Sequence, residues 1–474
     1  MSADEMLDLA FTWQEAGYIR PMDVVFAEFI HFYDKDASPL VLLAVALASN
    51  YYGKGHSGVN LAELLKNPET AVDPPRPGLP PLGDKKTPAE VLKTITLDDW
   101  RAALEQSRFF AKPTPYDRAT LPCSYENSYP LVLDNDHVYL ARNWINEQWV
   151  ARSILERANT HTDVPDATKI KVVLDRLFST AQPSVSRQPD QEPNWQKIAC
   201  AIGTRGRILI MTGGPGTGKT YTIVRLLALL QSNVPENEKL RILLAAPTGK
   251  AAARLTESIA QSMSYLDETV KNRIPTKAVT LHQLLGASRY TRSYQYNEDN
   301  PIHADVVVVD EASMIDLEMM ASLLRALPDT TRLILVGDKD QLASVEAGSV
   351  MGDLCSHIRN GNYTPDTLDW MEQTTGETLT RPTEHTEQTQ DTGNALAQQT
   401  VQLVHSMRYK RDSGIGYLSR AINAGHSGTI EGILKNPVFK DLNWWIIQPS
   451  TQVYIRGIAR GFKDYLNVIK TERP

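Results

Sequence analysis

The chain has 474 residues, 42% of them hydrophobic, with a formal net charge of −7 and three cysteines. This length allows two to four domains. Cys123, Cys200 and Cys355 have neither CxxC nor Cys/His spacing, which argues against a disulfide framework and a zinc site. No apolar run reaches the ~18 residues of a membrane span, and the N-terminus carries acids where a signal peptide needs basic residues. We therefore expect a soluble cytoplasmic protein with no membrane partner.

The negative charge is unevenly distributed along the chain. Residues 1–110 contain 10 basic and 16 acidic residues and residues 362–400 contain 1 and 7, so the rest of the chain has a net charge of +5. The overall charge argues against nucleic-acid binding, because affinity for the phosphate backbone comes largely from Lys and Arg. The basic remainder leaves such binding open.

The N-terminal part is predicted to be helical. Ser38 and Pro39 have the pattern of an N-cap and a first helical position ahead of the apolar run at 40–49. Residues 68–88 contain seven prolines, which predicts a loop. Apolar runs on both sides of residues 134–136 predict a β-hairpin.

From about residue 192 the pattern alternates between strand, loop and helix. Four short runs are apolar throughout, at 208–211, 242–246, 306–309 and 333–336. Such runs are typical of strands that are covered on both faces of a parallel sheet. The sequence therefore predicts an α/β fold with a doubly wound parallel sheet, in which ligands bind at the carboxyl ends of the strands.

A phosphate-binding loop follows the first of these runs. The sequence "GGPGTGKT" satisfies G-x-x-x-x-G-K-[ST] between a predicted strand and a predicted helix, which makes an accidental glycine-rich turn a poor alternative. We expect its backbone N–H groups to bind phosphate oxygens, Lys219 to reach the β and γ phosphates, and the Thr220 hydroxyl to bind Mg²⁺. The loop consists of Gly213, Gly214, Pro215, Gly216, Thr217, Gly218, Lys219 and Thr220.

Acidic and amide side chains follow two later strands. Asp310 is expected to hold the Mg²⁺ shell and Glu311 to polarise the attacking water, although adjacent acids at a strand end are often only a solvated turn. Asp338 and Gln341 follow the run at 333–336. Gln341 is predicted to sense hydrolysis, and the alternative is that it caps the next helix.

A third strand end has groups suited to a nucleic-acid backbone. Thr248, Lys250 and Arg254 offer hydroxyl and basic donors to the phosphates of a single strand. Taken alone, this segment is also compatible with an ordinary strand-to-helix turn.

Taken together and in this order, several motifs resemble superfamily-one helicases that move 5′ to 3′, and more closely the RecD family, the alpha subunits of exodeoxyribonuclease V (RecBCD). These motifs are "GGPGTGKT", "APTGKAAARL", "TLHQLLG", "VVVVDEASMID", "LVGDKDQL" and "SMRYKRDSGIGYLSRAIN". The resemblance implies a RecA-like P-loop NTPase domain, ATP and Mg²⁺ as cofactors, single-stranded DNA as a ligand, and RecB- and RecC-like subunits as partners in DNA repair and recombination.

The resemblance also implies roles for residues that carry no strong signal by themselves. It implies that Gln196 contacts adenine, that Arg408 contributes a cation to the γ-phosphate, and that Thr280 and His282 contact single-stranded DNA. Without it, Arg408 is an ordinary surface cation, and a lone histidine such as His282 is more often structural.

The chain departs from the family pattern near its end. The last motifs of the second RecA-like domain do not occur, and residues after about 396 are fewer than a typical domain needs, so we expect a truncated chain, a fragment or a shortened homologue. The resulting hypotheses are a DNA motor subunit and, as the alternative, a nucleotide-binding docking subunit without motor activity; an oligomeric AAA-type ATPase explains fewer motifs.

The predicted parts are a helical partner-docking domain at 1–110, a connecting region with the hairpin at 111–191, the first RecA-like domain at 192–361, a disordered Thr/Gln-rich linker at 362–395 and an incomplete second RecA-like domain at 396–474.

Overall fold

The computed structural model separates into two compact units, residues 1–404 and 405–474. The structure describes residues 1–442 except 75–77, 114–128, 161–165, 180–192, 236, 265, 289, 292, 342–346, 357–361, 380–393 and 407–412, and beyond 442 it describes residues 444, 460, 462, 463 and 467. Among these residues no helix is long and apolar enough to cross a membrane.

The first unit begins with a helical domain, as predicted. Ser38 caps the third helix by accepting a hydrogen bond from the Leu40 N–H, and Pro39 is its first residue. This helix is buried from residue 41 to residue 50 and forms the centre of the domain. The indole N–H of Trp100 donates to the Leu40 carbonyl at 2.9 Å, which ties the sixth helix to the start of the third. The helices are α1 (Ala3–Glu15), α2 (Pro21–Tyr33), α3 (Pro39–Gly53), α4 (Leu61–Lys66), α5 (Pro88–Leu92) and α6 (Leu97–Gln106).

A small sheet completes this domain. Its strands are β1 (Gly58–Asn60), β2 (Phe110–Ala111), β3 (Leu131–Asp134) and β4 (His137–Leu140), in the order β1-β4-β3-β2. The β3–β4 hairpin confirms the prediction around residues 134–136, and Asn135 adopts the left-handed conformation that asparagine tolerates in turns. Because β4 pairs with β1, the hairpin belongs to the N-terminal domain, and the predicted boundary at residue 110 is corrected.

The larger domain contains the predicted parallel sheet. After α7 (Ala141–Asn159) and α8 (Ala167–Ser179), the strands are β5 (Ile208–Gly213), β6 (Ile242–Ala246), β7 (Val279–Thr280), β8 (Val306–Val309), β9 (Arg332–Gly337) and β10 (Thr400–Leu403). Every pair in the order β10-β5-β9-β8-β6-β7 is parallel. All four predicted runs are strands, so the α/β fold class is confirmed.

Helices cover both faces of this sheet. They are α9 (Trp195–Arg205), α10 (Lys219–Ser232), α11 (Gly249–Met263), α12 (Glu268–Lys271), α13 (Leu281–Leu284), α14 (Leu317–Ala326), α15 (Val350–Cys355) and α16 (Pro365–Thr375). Separate clusters of buried apolar side chains lie on the two faces, with Val308 and Ile334 in one cluster and Val307 and Leu333 in the other. This alternation explains why each strand is apolar at every position.

The predicted linker at 362–395 begins with structured residues. α16 buries Leu368 and Met371 against the core, and the Tyr363 hydroxyl donates to the Thr400 carbonyl at 2.8 Å. β10 then pairs with β5 at the edge of the sheet. The linker prediction is therefore wrong for 365–375, and residues 400–403 belong to the first RecA-like domain, because a few apolar residues at helical spacing suffice for packing within a threonine-rich segment.

We expect Met371→Ala to lower the free energy of unfolding of this domain by about 2–5 kcal/mol, because the side chain is fully buried and its removal leaves a cavity. Gln373→Ala, on the exposed side of α16, is the matched control and is expected to change stability by less than about 0.5 kcal/mol. Denaturant unfolding measures both variants. Equal stability of the two would contradict the packing of α16.

In the second unit, the described residues form α17 (Gly414–Asn423) and α18 (Ser427–Lys435). Ser413 caps α17 by accepting from the Gly416 N–H, and the Asp441 carboxylate accepts from the N–H groups of Gly414 and Ile415. The incomplete second RecA-like domain stays a prediction.

Candidate nucleotide-binding site

The predicted phosphate-binding loop lies between the end of β5 and the start of α10. Gly216 and Gly218 have φ values of 79° and 83°, a left-handed conformation that favours glycine. The Lys219 ammonium lies inside the loop, where Nζ donates to the Gly213 carbonyl at 2.6 Å. The Thr217 hydroxyl closes the turn by donating to the Gly214 carbonyl at 2.9 Å. The loop therefore has the compact shape that phosphate binding at a helix N-terminus requires.

Gln196, from the first turn of α9, contacts this loop. Its Nε2 donates to the Thr217 carbonyl at 2.8 Å and lies against Gly218. The side chain thus supports the backbone conformation of the loop. Its contact with adenine stays a prediction.

We expect Gly218→Ala to weaken nucleotide binding by at least about tenfold. A Cβ at this position would lie 2.3 Å from Gln196 Nε2, and the left-handed backbone costs a further 1–3 kcal/mol or so for a residue with a side chain. Fluorescent-nucleotide titration measures the affinity.

Gly214→Ala is the matched control within the same loop. A Cβ there would meet no atom within 4 Å, and the residue has no positive φ. We expect the control to bind nucleotide more tightly than Gly218→Ala. If both variants bind equally well, the conformation of Gly218 does not limit the site.

Asp310 and Glu311 follow β8, which is separated from β5 by β9 alone. Burial raises the pKa of Asp310 to about 6, opposed by a hydrogen bond from the Glu311 N–H and by the positive charge of Lys219. Burial also raises the pKa of Asp338, and Lys219 again opposes the rise. Lys219, Asp310 and Asp338 thus follow three adjacent parallel strands at one edge of the sheet.

Glu311 has an unusual backbone conformation. Its φ is 54° and its ψ is 38°, which few residues other than glycine adopt. Such strain costs of the order of 1–3 kcal/mol and is commonest at functional sites. Glu311 is the N-cap of the short 3₁₀ helix Ala312–Met314, which follows β8 and Asp310.

Gln341 contacts a residue that the sequence analysis missed. Its Oε1 accepts a hydrogen bond from the Ser313 hydroxyl at 3.3 Å, which connects the end of β9 to the segment after Glu311. Thr212 was also missed: its hydroxyl accepts from the Lys339 N–H at 3.0 Å. Thr212 lies within the apolar strand β5, and Ser313 lies in the short 3₁₀ helix after β8. A polar residue in or shortly after an apolar strand is the signal that identifies them.

The predicted DNA-binding residues follow two neighbouring strands. Ala246 of β6 lies opposite Thr280 of β7, so the segments that begin α11 and α13 are adjacent. Thr248 and Thr280 are the N-caps of these helices, which occupies their hydroxyl oxygens with backbone N–H groups. The side chains of Lys250, Arg254 and His282 are exposed. Arg408 lies outside the described residues, so its predicted role remains untested.

Comparisons with known proteins identify relatives of this arrangement. Residues 15–139 match the family model described as "RecBCD enzyme subunit RecD, N-terminal domain", and residues 196–347 match "AAA domain". The RecBCD enzyme subunit RecD of Haemophilus influenzae is 34% identical over 407 residues, which cover 83% of this chain and 58% of that protein. The chain is related to RecD.

Other RecD proteins match over shorter lengths. RecD of Mycolicibacterium smegmatis is 40% identical over 54% of this chain and 42% of its own length, and the ATP-dependent RecD2 DNA helicase of Deinococcus radiodurans is 38% identical over 30% and 17%. The chain spans about half the length of the curated RecD relatives it matches.

The match to the AAA domain begins at Gln196 and extends beyond Gln341, so it includes the loop and both acidic strand ends. Together with the geometry of the loop, it makes this RecD-related region a nucleotide-binding domain. The oxygen atoms of Thr220 and Asp310 are ligands of the kind that Mg²⁺ prefers. The described residues contain no cluster of three or more His, Cys, Asp or Glu that could hold a metal ion.

Proposed function

We propose that this chain is an ATP-dependent DNA helicase subunit that moves 5′ to 3′ within a RecBCD-type complex for double-strand-break repair and recombination. The observation that carries the proposal is the position of Lys219, Asp310 and Asp338 after the carboxyl ends of the parallel strands β5, β8 and β9, at one edge of the sheet. The adjacent ends of β6 and β7 present the predicted DNA contacts at the same edge. In this proposal, ATP hydrolysis and DNA binding therefore occur at the same edge of the sheet.

Each group at this edge has a distinct chemical task. The P-loop N–H groups and Lys219 bind phosphate oxygens, and Thr220 and Asp310 hold Mg²⁺, which supplies charge neutralisation when it is bound. Glu311 accepts the proton of the attacking water. Gln341, held by Ser313, responds to the change at the γ-phosphate position and lies on the strand end next to the P-loop strand.

The test is ATP turnover by this chain with and without a single-stranded oligonucleotide. We expect turnover that rises when the oligonucleotide is added, and a parallel preparation with Lys219→Ala measures any contaminating hydrolysis. Turnover in the assembly with RecB- and RecC-like subunits is measured in the same way. If nucleotide binds but turnover by neither the chain nor the assembly responds to DNA, the docking subunit without motor activity is the better description.

The proposed partners, RecB- and RecC-like subunits, have a candidate contact surface on α2. Met22, Val25, Phe29 and Phe32 lie on one face of this helix and are 65%, 55%, 49% and 70% exposed. Contiguous exposed apolar residues of this kind mark interaction surfaces. The surrounding domain is acidic, which favours a partner surface with a basic rim.

Co-purification with the two subunits tests this surface. We expect Phe29→Asp to abolish co-purification. Glu28 is the exposed residue next to Phe29 in α2, and Glu28→Gln is expected to leave co-purification intact. Unchanged co-purification of Phe29→Asp would exclude α2 as the contact.

A further inference from the structure

A basic cavity lies at the edge of the large sheet opposite the nucleotide site. It has a volume of about 530 Å³ and lies between the amino ends of β5, β6, β8 and β9. The strands are parallel, so their amino ends point away from the P-loop. This cavity is therefore separate from the site proposed to hydrolyse ATP.

Three guanidinium groups line the cavity. Arg207 precedes β5, Arg241 precedes β6 and Arg332 begins β9. Burial, and next the positive charge of Arg207, lower the pKa of Arg332 to about 10. The two like charges thus repel each other within a desolvated environment, which a bound anion would relieve.

The acidic residue of the cavity pairs with the third arginine, Arg241, and not with Arg207 or Arg332. Asp305 is the one carboxylate among the described lining residues, and Arg241 holds it through its backbone N–H at 2.7 Å and its guanidinium at 3.1 Å. Among the described lining residues, three arginines therefore accompany one carboxylate.

The lining also has an unused hydrogen-bond donor. The Asn233 amide nitrogen is buried and has no hydrogen-bond partner among the described residues. Buried donors without a partner are rare in proteins, because leaving one unsatisfied costs about 1–3 kcal/mol. Asn233 lines the cavity together with Arg207, so a donor without a partner accompanies the positive charge.

We propose that this basal cavity binds a phosphate-bearing anion. Guanidinium groups present planar pairs of donors that match phosphate oxygens, and the volume is that of ordinary small-ligand sites. The site does not depend on ATP hydrolysis, and its ligand is a free phosphate compound or the phosphodiester backbone of a nucleic acid.

The test uses the full 474-residue chain with Lys219→Ala, which weakens anion binding at the P-loop, and pyrophosphate as the probe. We expect calorimetry to detect one bound pyrophosphate. Adding Arg207→Gln is expected to weaken its binding by at least about tenfold. Adding Arg176→Gln, an exposed arginine of α8 that is paired with Asp267, is the matched control and leaves binding unchanged.

Thermal unfolding checks that each variant is folded, and Arg241→Gln replaces Arg207→Gln if the latter is unfolded. Competition by a single-stranded oligo-dT then distinguishes the sources: displacement of pyrophosphate identifies a nucleic-acid backbone, and no displacement identifies a small phosphate compound. The proposal is overturned if the Lys219→Ala chain does not bind pyrophosphate, or if the folded cavity variant binds it as tightly as Arg176→Gln does.

Discussion

Asp310→Asn is expected to lower ATP turnover by at least about 10²-fold and, at neutral pH without Mg²⁺, to raise the melting temperature. The loss of turnover follows because an amide cannot supply the charge that holds Mg²⁺ and because several kcal/mol of charge stabilisation depend on the metal. The gain in stability follows because burial raises the pKa of this carboxyl to about 6, so the fold carries an unfavourable charge above that pH. The penalty amounts to about 3 kcal/mol.

The pH dependence of this stability difference has a defined sign. Because the pKa of Asp310 is higher in the folded state, this carboxyl stabilises the fold at pH values below its unfolded pKa of 3.8. This stabilisation is lost as the pH rises through the folded pKa of about 6. The melting temperatures of Asp310→Asn and the unmodified chain should therefore converge at pH 4 and separate above pH 6. Differential scanning fluorimetry across this range, in the presence of a chelator, measures the effect.

Asp305, at the other end of β8, is the matched control. The Arg241 side chain, which pairs with Asp305, lowers the pKa of this carboxyl. The charged carboxylate therefore stabilises the fold at pH values above the unfolded pKa. This stabilisation is lost as the pH falls through the lower pKa of the folded state. Asp305→Asn is therefore expected to lower the melting temperature at neutral pH, opposite in sign to Asp310→Asn. A decrease for both variants would show that Asp310 is held by favourable contacts.

Glu311→Gln is expected to leave ATP affinity within about threefold of the unmodified chain and to lower turnover by about 10²- to 10⁴-fold, the usual contribution of a general base. Glutamine retains the size of the side chain but cannot accept the proton of the attacking water. Nucleotide titration and single-turnover hydrolysis separate the two effects.

An acid of the same domain provides the comparison. Glu318 is exposed on α14, and Glu318→Gln is expected to hydrolyse ATP at the normal rate. Turnover by Glu311→Gln above about a tenth of normal would assign the base to another residue. Nucleotide affinity that falls as strongly as turnover would instead show that Glu311 maintains the loop around its left-handed backbone.

The nucleotide site was predictable from local patterns because each of its parts is encoded within a few residues. The run at 208–211 forms a strand, Gly216 and Gly218 adopt the conformations that the loop requires, and Lys219 begins the helix. The hydrogen bond between Ser313 and Gln341 was not predictable, because the two residues are 28 positions apart and only the parallel order of β8 and β9 brings them together.

The boundaries of the domains depended on tertiary structure in the same way. Residues 365–375 have the composition of a linker, yet their few apolar side chains pack into the core as α16. The local sequence of the hairpin at 131–140 does not show to which domain it belongs. The pairing of β4 with β1 places it in the N-terminal domain.

By itself, the sequence determined the strands of the central sheet, the P-loop and the relation to RecD, since all three rest on residue types at short, regular spacing. Only the tertiary structure decided which strand ends are neighbours, that β10 completes the first domain, and that arginines at the starts of three strands line one cavity at the basal edge. The physical reason is that the order of strands in a parallel sheet is set by the packing of its covering helices, which no short segment encodes.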